Sequence, residues 1–241
     1  MKWYHGVFSF CLFFLYASGF SVPKVYDCFL FHDELEVIKC RMAELDAYVD
    51  YFILVEGCET FQGCQKAFSF EDHLDDFTQY LHKIIHEPIR EKQCPSPQHG
   101  WEREFYQRQL LQDMCMRYCD ENDIIMISDA DEIPRGSLLP ALFAEIENGE
   151  ELFLLCHFWT SYYMNRVHTK SYGFNLPKSC WPGTVITTKK YLLLQRPLYS
   201  LRQNRVYCVP RSNWVLNAGW HFSTCGGGIG RMQSKTEAGS H

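Results

Sequence analysis

The sequence predicts an α/β domain with a mostly parallel sheet and helices on both of its faces. Three observations lead there. Amphipathic helical stretches alternate with short apolar runs; the runs are apolar at every position, as in strands buried on both faces; and an acidic cluster follows one such run directly, where sheets of this kind present their ligands.

From Asp33 to Val49, Leu35, Ile38, Met42 and Leu45 recur at helical spacing with charges between them, which predicts an amphipathic helix. Tyr51 to Val55 is a continuous apolar run of strand length ending at Glu56 and Gly57. Between Phe61 and Gly100 periodicity is weak and Cys94-Pro95-Ser96-Pro97 is a break, so surface structure is expected there. A second helix is predicted from Glu102 to Cys119 by Tyr106, Leu110 and Met114, and Asp123 to Ile127 is a second buried strand. Ser137 reads as the N-cap of a helix carrying Leu138, Leu142 and Ile146, with Pro140 tolerated in its first turn. Leu152 to Phe158 is a third apolar strand. After Tyr162 the sequence is irregular and rich in Trp, Tyr, Pro and Gly, which suits loops closing over a substrate and places the acceptor side there.

A length of 241 residues suits one ordinary domain, and neither a repeat nor a long linker divides the chain. A net charge of -6 and the lack of any Lys/Arg run argue against nucleic acid as a partner, so a phosphate-bearing substrate would need a local cation. Residues 1–21 form a separate segment, read as a signal peptide or signal-anchor: Lys2 and His5 precede an apolar stretch, Val7 to Tyr16, and Ala17-Ser18-Gly19 offers a cleavage site. The domain proper then spans 22–241, and a membrane is a partner only through the first segment. Of the 12 cysteines, removal of Cys11 leaves an odd number, so at least one thiol stays unpaired; the spacings favour disulfides and buried thiols over structural zinc.

After the strand ending at Ile127 stands Ser128-Asp129-Ala130-Asp131-Glu132-Ile133-Pro134-Arg135, with three carboxylates in four residues. Such crowding raises proton affinity unless a cation relieves it, and hard oxygen ligands suit Mn²⁺ or Mg²⁺. A metal held by Asp129 and Asp131 would neutralise a departing diphosphate, although acidic loops are also commonly just solvated.

These residues belong to a wider pattern. Tyr26-Asp27-Cys28-Phe29-Leu30-Phe31-His32-Asp33-Glu34-Leu35, Val49 to Glu56 with Thr60-Phe61-Gln62-Gly63, Ser128 to Arg135, and Gly219-Trp220-His221-Phe222-Ser223 together resemble glycosyltransferase family 17, with the blocks in order over nearly everything after the first segment. The resemblance implies a Rossmann-like GT-A nucleotide-sugar transferase fold, inversion at the anomeric carbon, UDP-N-acetylglucosamine as donor, a divalent metal, and β-1,4-mannosyl-glycoprotein 4-β-N-acetylglucosaminyltransferase activity in N-glycan processing. A glycan acceptor, carried on a glycoprotein, is then the second partner. In a eukaryotic source the expected place is a membrane of the secretory pathway with the domain in a Golgi-like lumen. The chain ends at His241 soon after Gly226, earlier than family members do, and has no stem, so a shortened C-terminus is expected.

Each site assignment has a plainer counterpart. His221 completes the metal's ligands, as a late histidine does in similar enzymes, or is a core histidine beside two aromatics. Glu56 contacts the nucleotide or caps a loop. Arg108 and Arg135 bind diphosphate oxygens or form surface ion pairs. Trp181 and Trp220 stack on sugar or simply pack. Glu132, beside the metal pair, is the candidate base that deprotonates the acceptor hydroxyl, with Asp131 as its catalytic neighbour. Two other functions fit the acidic pair: a metal-dependent phosphohydrolase or nucleotidyltransferase, and a carbohydrate-binding domain derived from a transferase but without activity.

Overall fold

The computed structural model describes residues 22–90, 100–160, 167–168 and 179–223. The expected signal or anchor segment and the Gly226 region lie outside the described residues. No helix among the described residues is long and apolar enough to cross a membrane.

The chain opens with β1 (Val25–Phe31), α1 (Leu35–Leu45), β2 (Tyr51–Gly57), β3 (Ile84–Ile89), α2 (Gly100–Tyr118) and β4 (Ile124–Asp129). It continues through β5 (Glu132–Pro134), α3 (Leu139–Glu147), β6 (Phe153–Thr160), β7 (Cys180–Thr188), α4 (Lys189–Leu194), α5 (Leu198–Cys208), β8 (Trp214–Val215) and β9 (Gly219–Phe222). These strands form one sheet in the order β3-β2-β1-β4-β7-β6-β9-β5, with β8 paired to β6. β3, β2, β1 and β4 run parallel, in the order of the first four strands across the switch point of a Rossmann-type sheet. β7 is antiparallel to both β4 and β6, while β6 is parallel to β8 and β9. The fold is thus mixed α/β with mostly parallel pairing, as the sequence predicts.

The apolar runs are explained by burial on both faces. Phe29, Phe52, Leu54 and Met126 pack beneath α1 and α3, against Ile38, Met42, Leu45, Leu139 and Phe143. The alternate residues Cys28, Ile53, Val55 and Ile125 pack beneath α2 and α5, against Leu111, Met114, Cys115 and Leu201. A disulfide joins Cys156 of β6 to Cys180 of β7, and Cys28, Cys115 and Cys119 are buried thiols.

Several local expectations are corrected. The region expected to hold only surface structure contains β3, an edge strand whose Pro88 needs no ladder partner on its outer side. Beyond Tyr162 the chain is not all loop: β7, α4, α5, β8 and β9 complete the sheet and its cover. Ser137 does not cap α3; it lies in a 3₁₀ turn, Gly136–Leu138, and Leu138 precedes the helix without a side-chain cap.

One helix residue departs from its apolar stripe. The buried face of α1 is Val37, Ile38, Arg41, Met42 and Leu45, and the Arg41 guanidinium is 0% exposed. It makes a two-pronged pair with Asp27 of β1, Nε donating to Oδ2 and Nη2 to Oδ1, each at 2.6 Å. Its Nη1 donates to the main-chain carbonyls of Asp129 at 3.0 Å and Glu132 at 2.8 Å, and more distantly to Ala130. Nη2 also reaches the hydroxyl of Ser128. One buried cation therefore satisfies a carboxylate and three carbonyls of the turn after β4, the arrangement under which a buried charge is tolerated.

Glu56 plays a comparable part at the end of β2. Its carboxylate, 0% exposed, accepts from Lys66 Nζ at 2.8 Å and from the amides of Ser69 and Phe70, with His86 Nε2 at 3.2 Å. It fastens the loop after β2, as the loop-cap reading expects, and is not among the residues that line the cleft described below. Burial alone would raise its pKa, but His86 and Lys66 reverse this and hold it below its ordinary 4.5.

Two predictions follow from these buried charges. Arg41→Met leaves Asp27 and the turn carbonyls without their donor and should lower stability by about 3–5 kcal/mol; a urea-unfolding loss under about 1 kcal/mol would contradict this. Because the folded pKa of Glu56 is depressed, its stabilisation is present above the unfolded value and lost as pH falls through the folded one. Unfolding curves should show stability dropping below about pH 4.5, with a shallower drop in Glu56→Gln; parallel pH profiles for the two proteins would remove Glu56 from this role.

Candidate active site

β1 and β4 are neighbours, yet the chain leaves β1 toward β2 and reaches β4 from the other direction, so the sheet's topological switch point lies between their carboxyl ends. Asp129 is the last residue of β4, and the turn through Ala130 and Asp131 leads into β5. A cleft of about 280 Å³ opens there, lined by Leu30 and Phe31 at the end of β1, His32 and Glu34 after it, Phe61 after β2, Gln107 and Arg108 of α2, Asp129, Asp131, Trp181, His221 and Ser223.

The Asp129 side chain is 38% exposed and lies between two buried arginines. Arg108 Nη2 donates to Oδ1 at 2.8 Å and Arg202 Nη2 to Oδ2 at 2.7 Å. Glu104, one turn before Arg108, pairs with it at 2.9 Å. Burial alone would raise the Asp129 carboxyl, but Arg202 and Arg108 hold it well below the usual carboxylate range, so it is ionised.

Asp131 faces β9. Its carbonyl accepts from the Phe222 amide at 2.8 Å, and its Oδ1 lies 3.6 Å from His221 Nε2. The register of β5 on β9 sets this meeting: Glu132 pairs with His221, Ile133 with Trp220, and Pro134 with Gly219. Gly219 permits the approach, since a Cβ there would stand 2.2 Å from the Ile133 carbonyl oxygen. The Trp181 ring stacks on His221 with centroids 4.3 Å apart.

Two donors, Asp131 and His221, thus converge at the edge of the cleft. Among the described residues no group of three His, Cys, Asp or Glu side chains is arranged as a metal cluster. Two protein ligands nevertheless fit a cation that completes its shell from substrate phosphates and water, the usual habit of Mg²⁺. Asp129, expected as a ligand of equal standing, lines the same cleft with its carboxylate paired to Arg108 and Arg202.

Glu132 is placed otherwise than expected. It is fully buried and does not line the cleft; Oε1 accepts from Trp181 Nε1 and Arg202 Nη2, both at 2.6 Å, and Oε2 accepts from the Asp129 amide at 3.0 Å. A carboxylate with three donors and no path to an acceptor hydroxyl positions the turn and is not placed as a base. Arg135 and Trp220 also lie away from the cleft, the guanidinium 4.6 Å from the ring centroid, because alternation along β9 sends Trp220 to the face opposite His221. Trp181 and Arg108 do line it.

Sequence reading missed Arg41, Asp27, Arg202 and His157. Arg41 left a signal, a charge within the apolar stripe of its helix; Arg202 left none. His157 of β6 is buried, its two ring nitrogens without a hydrogen-bond partner among the described residues, packed where Gly183 leaves room for its ring. Burial first, then His221 and nearby arginines, push its pKa well below the usual histidine range and keep it neutral.

Comparison with known proteins bears on this site. No curated protein matches the sequence. Two solved structures share 12% and 10% identity: one from Bacillus anthracis described as a glucose-1-phosphate thymidylyltransferase in complex with sucrose, covering 81% of this chain and 86% of that one at a TM-score of 0.44, and a 4-diphosphocytidyl-2C-methyl-D-erythritol synthase from Anaerococcus prevotii, covering 80% and 86% at 0.40. Both likenesses are distant. The model of glycosyltransferase family 17 matches residues 8–241. The chain belongs to glycosyltransferase family 17 and by that membership is a glycosyltransferase.

Proposed function

We propose that the protein moves N-acetylglucosamine from UDP-N-acetylglucosamine to a sugar hydroxyl of a glycan, with inversion and with Mn²⁺ or Mg²⁺ bound. The observation that carries the reading is the convergence of Asp131 and His221 at the mouth of the switch-point cleft. Asp131 and His221 would hold the ion, which when bound would supply positive charge toward a departing diphosphate. Arg108 lines the same cleft and adds a fixed guanidinium beside it, oriented by Glu104 and Asp129. Trp181 covers His221 and presents an apolar face to the sugar.

Glu132 and Arg202 keep the turn in place beneath these groups. The acceptor's proton goes to a carboxylate at the cleft surface, where Glu34 is available on the β1 side. A single displacement on an α-linked donor gives a β-linked product. Residence in an oxidising, Golgi-like lumen agrees with the disulfide between Cys156 and Cys180.

The test is transfer from UDP-N-acetylglucosamine to an N-glycan with Mn²⁺ or chelator, followed by mass spectrometry and linkage analysis. Wild type should form a β linkage only with metal, and Asp131→Asn should lose about a hundredfold or more in rate with an unchanged circular dichroism spectrum. Glu132→Gln should weaken UDP binding together with transfer, since it disturbs the turn. An α-linked product, or near-normal transfer by Asp131→Asn, would overturn the reading.

A further inference from the structure

A second hollow lies on the same two helices that supply the arginines. It measures about 440 Å³ and is lined by Trp101, Glu102, Phe105 and Tyr106 of α2 and Tyr199 of α5. Trp101, Phe105 and Tyr106 are 43%, 45% and 39% exposed, and the Phe105 and Tyr199 rings meet edge to face with centroids 4.5 Å apart. So many large aromatics on one exposed patch is uncommon for a surface that contacts only water, and such patches mark binding sites.

The position of the patch relates it to the active site. Phe105 is three residues before Arg108 on α2, and Tyr199 is three residues before Arg202 on α5. Each aromatic therefore sits about one helical turn, roughly 5 Å, from an arginine that grips Asp129. The Phe105–Tyr199 contact and the Arg108–Asp129–Arg202 bridge are two successive rungs between the same helices. The hollow thus lies about one helical turn from the arginines beside the cleft, on the same two helices.

Its chemistry selects one kind of occupant. Flat aromatic faces pack against the C–H faces of a pyranose, and a carboxylate at the margin, here Glu102, accepts from ring hydroxyls. Among the described residues that line the hollow none is a cation, which disfavours a phosphate or other anion there. We infer that this patch is a subsite for a neutral oligosaccharide, holding the acceptor glycan beyond its reacting sugar. The inference rests on the proposed transfer reaction for the word acceptor, whereas glycan binding itself does not require turnover.

The experiment measures two binding events separately on the whole protein. Titration with a fluorescently labelled, desialylated biantennary N-glycan reads the patch, and titration with UDP and Mn²⁺ reads the cleft. Trp101→Ala and Tyr199→Ala should each weaken glycan binding about tenfold or more, Trp101→Phe should recover most of the affinity, and UDP affinity should stay within about twofold throughout. Failure of wild type to bind UDP would count against the proposed donor and leave the glycan result standing on its own. Undiminished glycan binding in both alanine variants would overturn the inference, as would a wild type that binds lipid vesicles or a second copy of itself through these residues and not the glycan.

Discussion

The site depends on a positive charge buried where an apolar side chain would ordinarily sit. Arg41 occupies the core-facing stripe of α1, yet its guanidinium ties β1 to the turn after β4 through Asp27 and the carbonyls of Asp129, Ala130 and Glu132. Those strands flank the switch point. A neutral residue of similar size would fill the volume but leave the carbonyls of a sharp, acidic turn without donors, and such groups are costly when buried. The acidic turn is tolerated inside the fold because a cation lies under it.

Charge alternates outward from that point. Arg41 lies beneath the turn, Glu132 and Asp129 within it, Arg108 and Arg202 around it, and Asp131 with His221 at its open edge. Asp129 and Glu132 have guanidinium or ring N–H partners, and Asp131 lies at the open edge beside His221. The short β5–β9 ladder brings His221 to it, and Gly219 lets that ladder close. Arrangements held on strand ends and buried ion pairs suit a site that must be preorganised before the donor arrives.

The sequence made some of this legible and hid the rest for definite reasons. β2 and β4 stood out because both faces are buried and nearly every residue is apolar. β3 carries His86, Glu87 and Pro88 at the sheet's edge, where half-burial leaves no apolar run. β7 begins Cys180-Trp181-Pro182-Gly183, which reads as a turn; its glycine is there to admit the His157 ring. The acidic motif and His221 were visible as residues, but their meeting depends on pairing between segments some 90 positions apart, Glu132 with His221. Sequence proximity suggested that Glu132 would act beside Asp131, whereas strand alternation turns it inward. Arg202 belongs to a helix with no motif, and only the packing of α5 on α2 brings it to Asp129.

The most direct measurement is a crystal structure of the protein with UDP and Mn²⁺, with the ion located by its anomalous scattering. The account predicts one manganese bound by Asp131 and His221, with the diphosphate completing its shell on the side of Arg108 and the Asp129 carboxylate still held by Arg108 and Arg202. Manganese bound without either Asp131 or His221, or UDP bound away from the carboxyl ends of β1 and β4, would contradict it.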